Sequence, residues 1–194
     1  MMGKMESLFV FSLHRTAIAE GHFPVANKHI LVIGTLQPWV ESILLAEGAS
    51  KVTTLDYNQI DIEHPQIRTL VPYEMTHLVN SGQISFDGMV TFSSLEHSGL
   101  GRYGDELNPW GDLVAMARAW CVLTPGARAL VGLPAAGKDL ICMNAHRMYG
   151  PIMYSHLFAN WDQVWSDVKD LSQLQTDCYS WAQPIHVLEK TSLN

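Results

Sequence analysis

The stretch "KHILVIGTLQPWVESILLAEGASKVTTLDYN", Lys28 to Asn58, decides the fold. It opens with an uninterrupted apolar run, Ile30 to Ile33, that stops at Gly34. Pro38 opens the next segment and Gly48 closes it. Proline at a first helical turn and glycine just past a last one mark a helix between them. "SKVTTLDYN" is rich in β-branched residues and ends in the polar trio Asp56, Tyr57 and Asn58, which reads as a strand. Strand, helix and strand in this order make a βαβ unit, whose crossover implies a parallel pair.

Working outward, the alternation continues. A third strand is expected at Ile67 to Val71, then a short helix from Tyr73 to Asn80 with Met75, Leu78 and Val79 inward. "FDGMVTFSS" supplies a fourth strand. "DLVAMARAWCVL" places Leu113, Met116, Ala117, Trp120 and Cys121 on one helical stripe, "TPG" ends it, and "ARALVGLP" begins a fifth strand. Leu157, Trp161, Val164, Trp165 and Val168 share a further helix face, and "PIHVLEK" reads as a last strand. The expectation is an α/β protein with a doubly wound, mostly parallel sheet, as one domain over residues 1–194. Residues 1–26 form an N-terminal helical extension packing on its core. Ligands of such sheets bind beyond the carboxyl ends of the strands, so Gly34 and Thr35, Asp56 to Asn58, Ser93 onward and Pro134 onward carry the interest.

Composition sets bounds on the partners. A net charge of −7 with 12 Lys plus Arg gives nucleic acid little to attract it. No apolar segment approaches the length of a membrane span, and no cleavage pattern comes after the apolar run Leu8 to Leu13. Cys121, Cys142 and Cys178 are odd in number and in no metal spacing, which argues against a disulfide framework and against zinc, and so favours a reducing cytoplasm. Nine histidines invite a metal, but none pairs with another at i,i+4 beside a Glu, and no metal is expected. Oligomeric state is not legible.

Three groups of residues carry chemistry. Gly34 gives a tight turn after the first strand, and Asp56, about twenty residues on, is spaced to accept hydrogen bonds from ribose hydroxyls. "GTLQP" has one glycine where a dinucleotide fingerprint has three, which disfavours a nicotinamide cofactor. The plain alternative is that Gly34 only permits the turn and Asp56 only caps the next segment of chain. The second group is "SSLEHSGLGRYGDELNPWGD", Ser93 to Asp112, in which Glu96 and His97 emerge at the ligand edge as acid and base. Trp110 is a candidate pocket wall, whereas Asp105, Asn108 and Asp112 have an equal explanation as turn and cap residues. The third group is "NAHRMYGP", where Asn144, His146, Arg147 and Tyr149 stand in an apolar setting. They either pair with one another or present Arg147 to a substrate anion, with His146 or Tyr149 handling a proton.

"HILVIGT", "VTTLDYN", "FDGMVTFSSLEHSGLGRYGD", "LNPWGDLVAMARAWCVLTPGARALVGLP" and "NAHRMYGP" together resemble a family catalogued as a domain of unknown function, number 268, first noted in Caenorhabditis proteins. That family is similar to a divergent branch of the Rossmann-like class I S-adenosylmethionine-dependent methyltransferases. The resemblance runs from about Asn27 onward. It implies that Gly34 and Thr35 lie beside the methionine moiety of S-adenosylmethionine, that Asp56 with Tyr57 meets the ribose, and that Phe92 and Ser93 form the nearby edge. Glu96, His97, Arg102, Asn144, His146, Arg147 and Tyr149 match the family's polar motifs, whose roles the resemblance leaves undefined.

The resulting expectation is a cytoplasmic transferase that moves a methyl group from S-adenosylmethionine to a small polar acceptor. Glu96, His97, His146, Arg147 and Tyr149 are its catalytic candidates. Arg102, Tyr103, Trp110 and Asn144 are its candidates for substrate contact. The alternative is a non-catalytic module that keeps the fold and binds a metabolite or a protein. A third reading is another transferase on this fold, with Trp110 and Tyr103 stacking on a sugar.

Overall fold

The computed structural model describes residues 16–178 and 182–192. In chain order it contains β1 (His29–Ile33), α1 (Trp39–Ala46), β2 (Lys51–Leu55), β3 (Ile67–Leu70), α2 (Pro72–Asn80) and β4 (Phe86–Phe92). After these come α3 (Gly111–Val122), β5 (Leu123–Gly132), β6 (Leu140–Cys142), β7 (His146–Met148), α4 (Pro151–Leu157), β8 (Trp161–Ser166) and β9 (Ile185–Lys190). One-turn 3-10 segments stand at Leu95–His97 and Leu171–Gln173.

Seven strands form one sheet in the order β3-β2-β1-β4-β5-β9-β8, and β6 with β7 makes a separate hairpin. The first five strands are parallel. β9 runs antiparallel to both β5 and β8. β1 lies where the chain order reverses, and its last residue, Ile33, is level with Leu55 of β2 and Thr91 of β4. That is a switch point of the kind at which doubly wound sheets open a crevice. The apolar runs become central strands because both faces of the sheet are covered. One core joins Leu31, Met89, Val131 and Leu188 to Met75, Met116 and Leu157 of the helices. The other joins Ile30, Val32, Val52 and Val90 to Val40 and Leu44 of α1, and to Phe23 and Val25. Of the expected extension over residues 1–26, residues 1–15 lie outside the described part, residues 16–19 are helical, and Ala17 is fully buried.

Four expectations are corrected. The helix face drawn through Leu157 to Val168 is a helix, α4, that ends at Leu157, and then the strand β8. Positions 161 and 165 share a side in a helix and in a strand alike, so the spacing did not discriminate, and Asn160, at φ +67°, reverses the chain between the two. The stripe on α3 is rotated: Asp112, Met116 and Ala119 are buried, while Ala117 and Cys121 are exposed. β5 begins before "TPG" rather than after it, through a register shift against β4. Finally, Cys142 and Cys178 form a disulfide across 36 positions, with Cys121 free. The odd count concealed one pair and one singleton, and the ground for expecting a reducing compartment falls with it. Among the described residues no helix is long and apolar enough to cross a membrane.

Candidate functional site

β4 ends at the sheet's rim and turns sharply. Ser93 has φ +49°, unusual for a residue with a side chain, and its N–H is pinned to the Gly132 carbonyl at 2.9 Å. The turn seats Ser94 against the loop after β1: a Cβ at Gly34, itself at φ +73°, would fall 1.8 Å from Ser94 Oγ. Gly34 therefore serves the tight turn and the close approach of Ser94 together.

Beyond the turn, the 3-10 segment Leu95–His97 drives Glu96 inward until 1% of it is exposed. Ser93 Oγ donates to Glu96 Oε1 at 2.8 Å, and Glu96 Oε2 has no hydrogen-bond partner. Burial pushes the carboxyl up to about 7, against the opposing pull of its own backbone N–H and the Ser93 hydroxyl. His97 Nδ1 lies 2.6 Å from the Ala145 carbonyl, which can only accept, so Nδ1 carries the proton. Nε2 is left as an acceptor and faces Glu96 Oε1 at 3.5 Å. Burial lowers the His97 imidazole first, the Ala145 carbonyl opposes that, and His146 and Arg102 add to the lowering. The two shifts together favour a neutral pair with its proton on the carboxyl.

His146 approaches from the β6–β7 hairpin, with its ring 6.2 Å from that of His97. Burial lowers it as well, while a hydrogen bond to the Cys178 carbonyl holds it up. Tyr103 stands edge-on to His97 at 5.1 Å, and Arg102 lies over the Tyr103 ring at 5.7 Å. Folding thus brings "SSLEH" and "NAHR" to one place. Trp110, 61% exposed, and Asn144 lie at the surface.

Arg147 and Tyr149 have other work. Arg147 is 3% exposed and donates to the carbonyls of Glu96 (3.3 Å), Ser98 (2.7 Å) and Pro109 (3.1 Å). Its Nε lies 3.4 Å from Asp112 Oδ2, which also accepts from the fully buried Tyr149 hydroxyl at 2.9 Å. The guanidinium therefore gathers the loop from Glu96 to Pro109. Burial drives the Tyr149 hydroxyl well above its ordinary range, with Asp112 and Glu96 adding to the effect. The same loop wraps Asp105, whose carboxylate accepts from the N–H groups of Gly99 (2.6 Å), Gly101 (3.3 Å) and Tyr103 (3.2 Å). A side chain at Gly99 would strike the Asn108 carbonyl, 2.0 Å from the Cβ position.

Of the residues assigned to a cofactor, Gly34, Thr35, Asp56 and Tyr57 follow β1 and β2, Phe92 ends β4 and Ser93 follows it. Thr35 is 7% exposed and its hydroxyl donates to the Gln37 carbonyl at 2.5 Å. Asp56 Oδ1 accepts from the N–H of Asn58 at 2.8 Å, a bond that turns the chain after β2, and the residue is half-buried. Leu36, 84% exposed, follows β1, and Tyr57, 52% exposed, follows β2. Phe92 stands edge-on to Trp39 at 5.6 Å, a packing contact.

Sequence reasoning missed Gln183. Its Nε2 donates to Ser93 Oγ at 3.2 Å, and its Oε1 is buried without a partner. Only the antiparallel course of β9 brings the residues before that strand to the rim, and strand direction leaves no mark in the sequence. Among the described residues no three His, Cys, Asp or Glu side chains are placed to hold a metal.

Residues 27–183 match a family described as "Caenorhabditis protein of unknown function, DUF268". Among curated proteins none matches the chain in sequence. Solved structures match its fold. The N-methyltransferase NodS from Bradyrhizobium japonicum WM9 does so with a TM-score of 0.62 at 12% identity, over 94% of this chain and 94% of that one. The 1,6-didemethyltoxoflavin-N1-methyltransferase from Burkholderia thailandensis, solved with S-adenosylhomocysteine, gives 0.57 at 15%, over 97% and 88%. A putative hemolysin from Streptococcus thermophilus gives 0.62 at 11%, over 92% of this chain, which spans 64% of that protein's length. At such identities the likeness shows the Rossmann-like methyltransferase fold.

Proposed function

The chain belongs to the DUF268 family, and we propose that it is a methyltransferase that binds S-adenosylmethionine and acts on a small polar acceptor. One observation carries this reading. At the end of β4, His97 turns an unprotonated ring nitrogen toward a buried carboxyl, 3.5 Å away, on a fold whose neighbours include methyltransferases.

Asp56 is the residue that would hold the nucleoside half of such a cofactor, and the exposed side chains of Leu36 and Tyr57, after β1 and β2, would offer it apolar surface. When bound, S-adenosylmethionine supplies a methyl group on a sulfonium, ready for displacement. His97 Nε2 takes the proton that the acceptor gives up, and Glu96, ionised once the pH passes about 7, stabilises the imidazolium so formed. The Ala145 carbonyl fixes the tautomer for this task, much as the partner of any catalytic histidine does. Ser93 holds Glu96 in place, and Arg147 holds the loop from which both act. Orientation supplies the rest, since a displacement between two held partners needs little covalent assistance.

Calorimetry with S-adenosylmethionine and S-adenosylhomocysteine is the test. The reading expects binding, weakened about tenfold in Asp56→Ala, as for the loss of a hydrogen bond to a charged group. Absence of binding at millimolar ligand overturns it. A second reading, the non-catalytic module, has its own support: Ser94 fills the space beside Gly34, and Glu96 is nearly sealed. That reading expects no release of S-adenosylhomocysteine with any of a panel of small amines, phenols and hydroxy acids.

A further inference from the structure

Between β8 and β9 runs a long connection, described over residues 167–178 and 182–184, whose regular structure is the single turn Leu171–Gln173. Long connections of this kind are commonly functional. This one is held down at several points. Asp167 Oδ1 accepts from the N–H of Ile185 at 2.8 Å, and the Ala182 carbonyl accepts from the N–H of Ala135 at 2.8 Å. A Cβ at Gly137 would lie 2.8 Å from the Leu174 carbonyl oxygen, so the connection lies directly on the backbone there. Cys178 is bonded covalently to Cys142 of β6.

Two routes lead from the connection into the polar cluster. On one side, the Cys178 carbonyl accepts the His146 ring hydrogen bond, and Cys142 is the register partner of His146 in the hairpin. The turn between them carries Ala145, whose N–H donates to the Cys142 carbonyl at 2.5 Å and whose own carbonyl fixes His97. On the other side, Gln183 donates to Ser93, which donates to Glu96. The bond itself sits in a small apolar cluster, Ala136, Cys142 and Met148 with Leu140, Ala145 and Cys178, apart from the two cores of the sheet. Neither core includes the bond, and the connection packs Leu171 and Leu174 against the first of them. The bond therefore ties down the hairpin and the stretch of the connection after Leu174, which meet His97, His146 and Ser93. Cys142 is 8% exposed and Cys178 is half-buried, so a small thiol can reach the pair by way of Cys178.

We propose that the Cys142–Cys178 disulfide is a redox latch that holds the connection, through Cys178 and with Gln183 beyond it, against the Ser93–Glu96–His97–His146 cluster. Reduction by a dithiol opens that wall. One thiolate of the dithiol attacks a latch sulfur and the Cys142–Cys178 bond breaks, giving a mixed disulfide and one protein thiolate. The second dithiol sulfur then closes on the first, releasing the other protein thiolate; both take up protons, and the dithiol leaves as a cyclic disulfide, oxidised by two electrons. The proposal holds whether or not the cluster transfers methyl groups.

The test compares the oxidised protein, the protein treated with dithiothreitol, and the Cys142→Ser/Cys178→Ser double variant. Amide exchange and acylation of histidines by diethyl pyrocarbonate are read by mass spectrometry. The latch predicts that amides of residues 175–178 and of Ala135 exchange at least tenfold faster once the bond is open, and that His146 and His97 are acylated at least tenfold faster. Amides of β1, β4 and β5 stay slow, and His186, 3% exposed in the core, stays unreactive. Equal rates in the oxidised and reduced protein overturn the proposal, as does free Cys142 and Cys178 in the air-oxidised protein. Acceleration across the whole sheet overturns it too, because the bond is then a staple of the entire fold. Treating the folded native chain with dithiol keeps the test decisive if the double variant fails to fold.

Discussion

Glu41 and Glu96 present the same small arrangement in two halves of the molecule. Each is sealed from solvent, at 0% and 1% exposure. Each has one oxygen held by a hydroxyl, from Thr54 at 2.7 Å and from Ser93 at 2.8 Å, and a second oxygen with no partner. Burial raises both carboxyls. They differ in what else is near. Glu41 sits in the first turn of α1, between Val40 and the buried face of Ile43 and Leu44, and the Thr54 hydroxyl is its side-chain partner. Glu96 has an imidazole nitrogen 3.5 Å away, already assigned as an acceptor. Burial alone raises a carboxyl; burial beside a base makes a pair that can pass a proton.

Removing the base is the harshest way to test this contrast. His97→Ala should lower methyl transfer by about 100- to 10,000-fold, the usual worth of a positioned general base, with cofactor affinity by calorimetry unchanged. Thr54→Val, the matching cut on the other side, should leave turnover within about twofold, since a structural hydrogen bond there acts only on stability. Equal losses would erase the distinction between the two carboxyls.

Next in size is the anchor that only the Glu96 half needs. Arg147→Met should cost about 3–5 kcal/mol in urea unfolding, because it strands Asp112 without its counter-ion. Asp112 is itself fully buried. Arg128, whose pair with Glu189 is 30% and 38% exposed, should cost roughly 1 kcal/mol or less on the same change.

The pH dependence of stability comes third. Glu96 holds its proton up to about pH 7 when folded, against an ordinary value of 4.5, so the folded chain binds the extra proton across that window. Stability must therefore fall as pH rises through the window and level off above it, by a total of about 3 kcal/mol. Glu96→Gln should remove that slope in denaturant titrations run from about pH 4 to pH 8, and Glu41→Gln should flatten the remainder in the same direction. A slope unchanged in both variants would refute the burial argument for the pair. Smallest is the hydroxyl itself. Ser93→Ala and Thr54→Val should each cost about 1 kcal/mol, yet only Ser93→Ala should also shift the pH–rate profile of methyl transfer.

The order of elements from His29 to Gly132 was legible because each apolar run is bounded by glycine, proline or a polar trio. Both α1 and β2 are found where their punctuation puts them. The misreadings lie where local pattern is ambiguous. Trp161 and Trp165 satisfy two periodicities at once, and alanines on α3 mark neither face. The convergence of His97 with His146 came from reasoning about strand ends. Nothing in "NAHR" announces that its arginine faces three backbone carbonyls, because those acceptors belong to a loop 38 to 51 residues earlier. Gln183 and the disulfide were hidden for the same reason: both depend on the direction of β9 and on the path of the connection before it.

The reversed course of β9 also settles where the chain enters and leaves the sheet. Glu189, near the end of β9, is level with Arg128, which is level with Gly88 and so with Ile30 at the start of β1. Entrance and exit thus share the edge opposite the rim. Neither the start of β1 at His29 nor the end of β9 at Lys190 therefore crowds the mouth of the crevice.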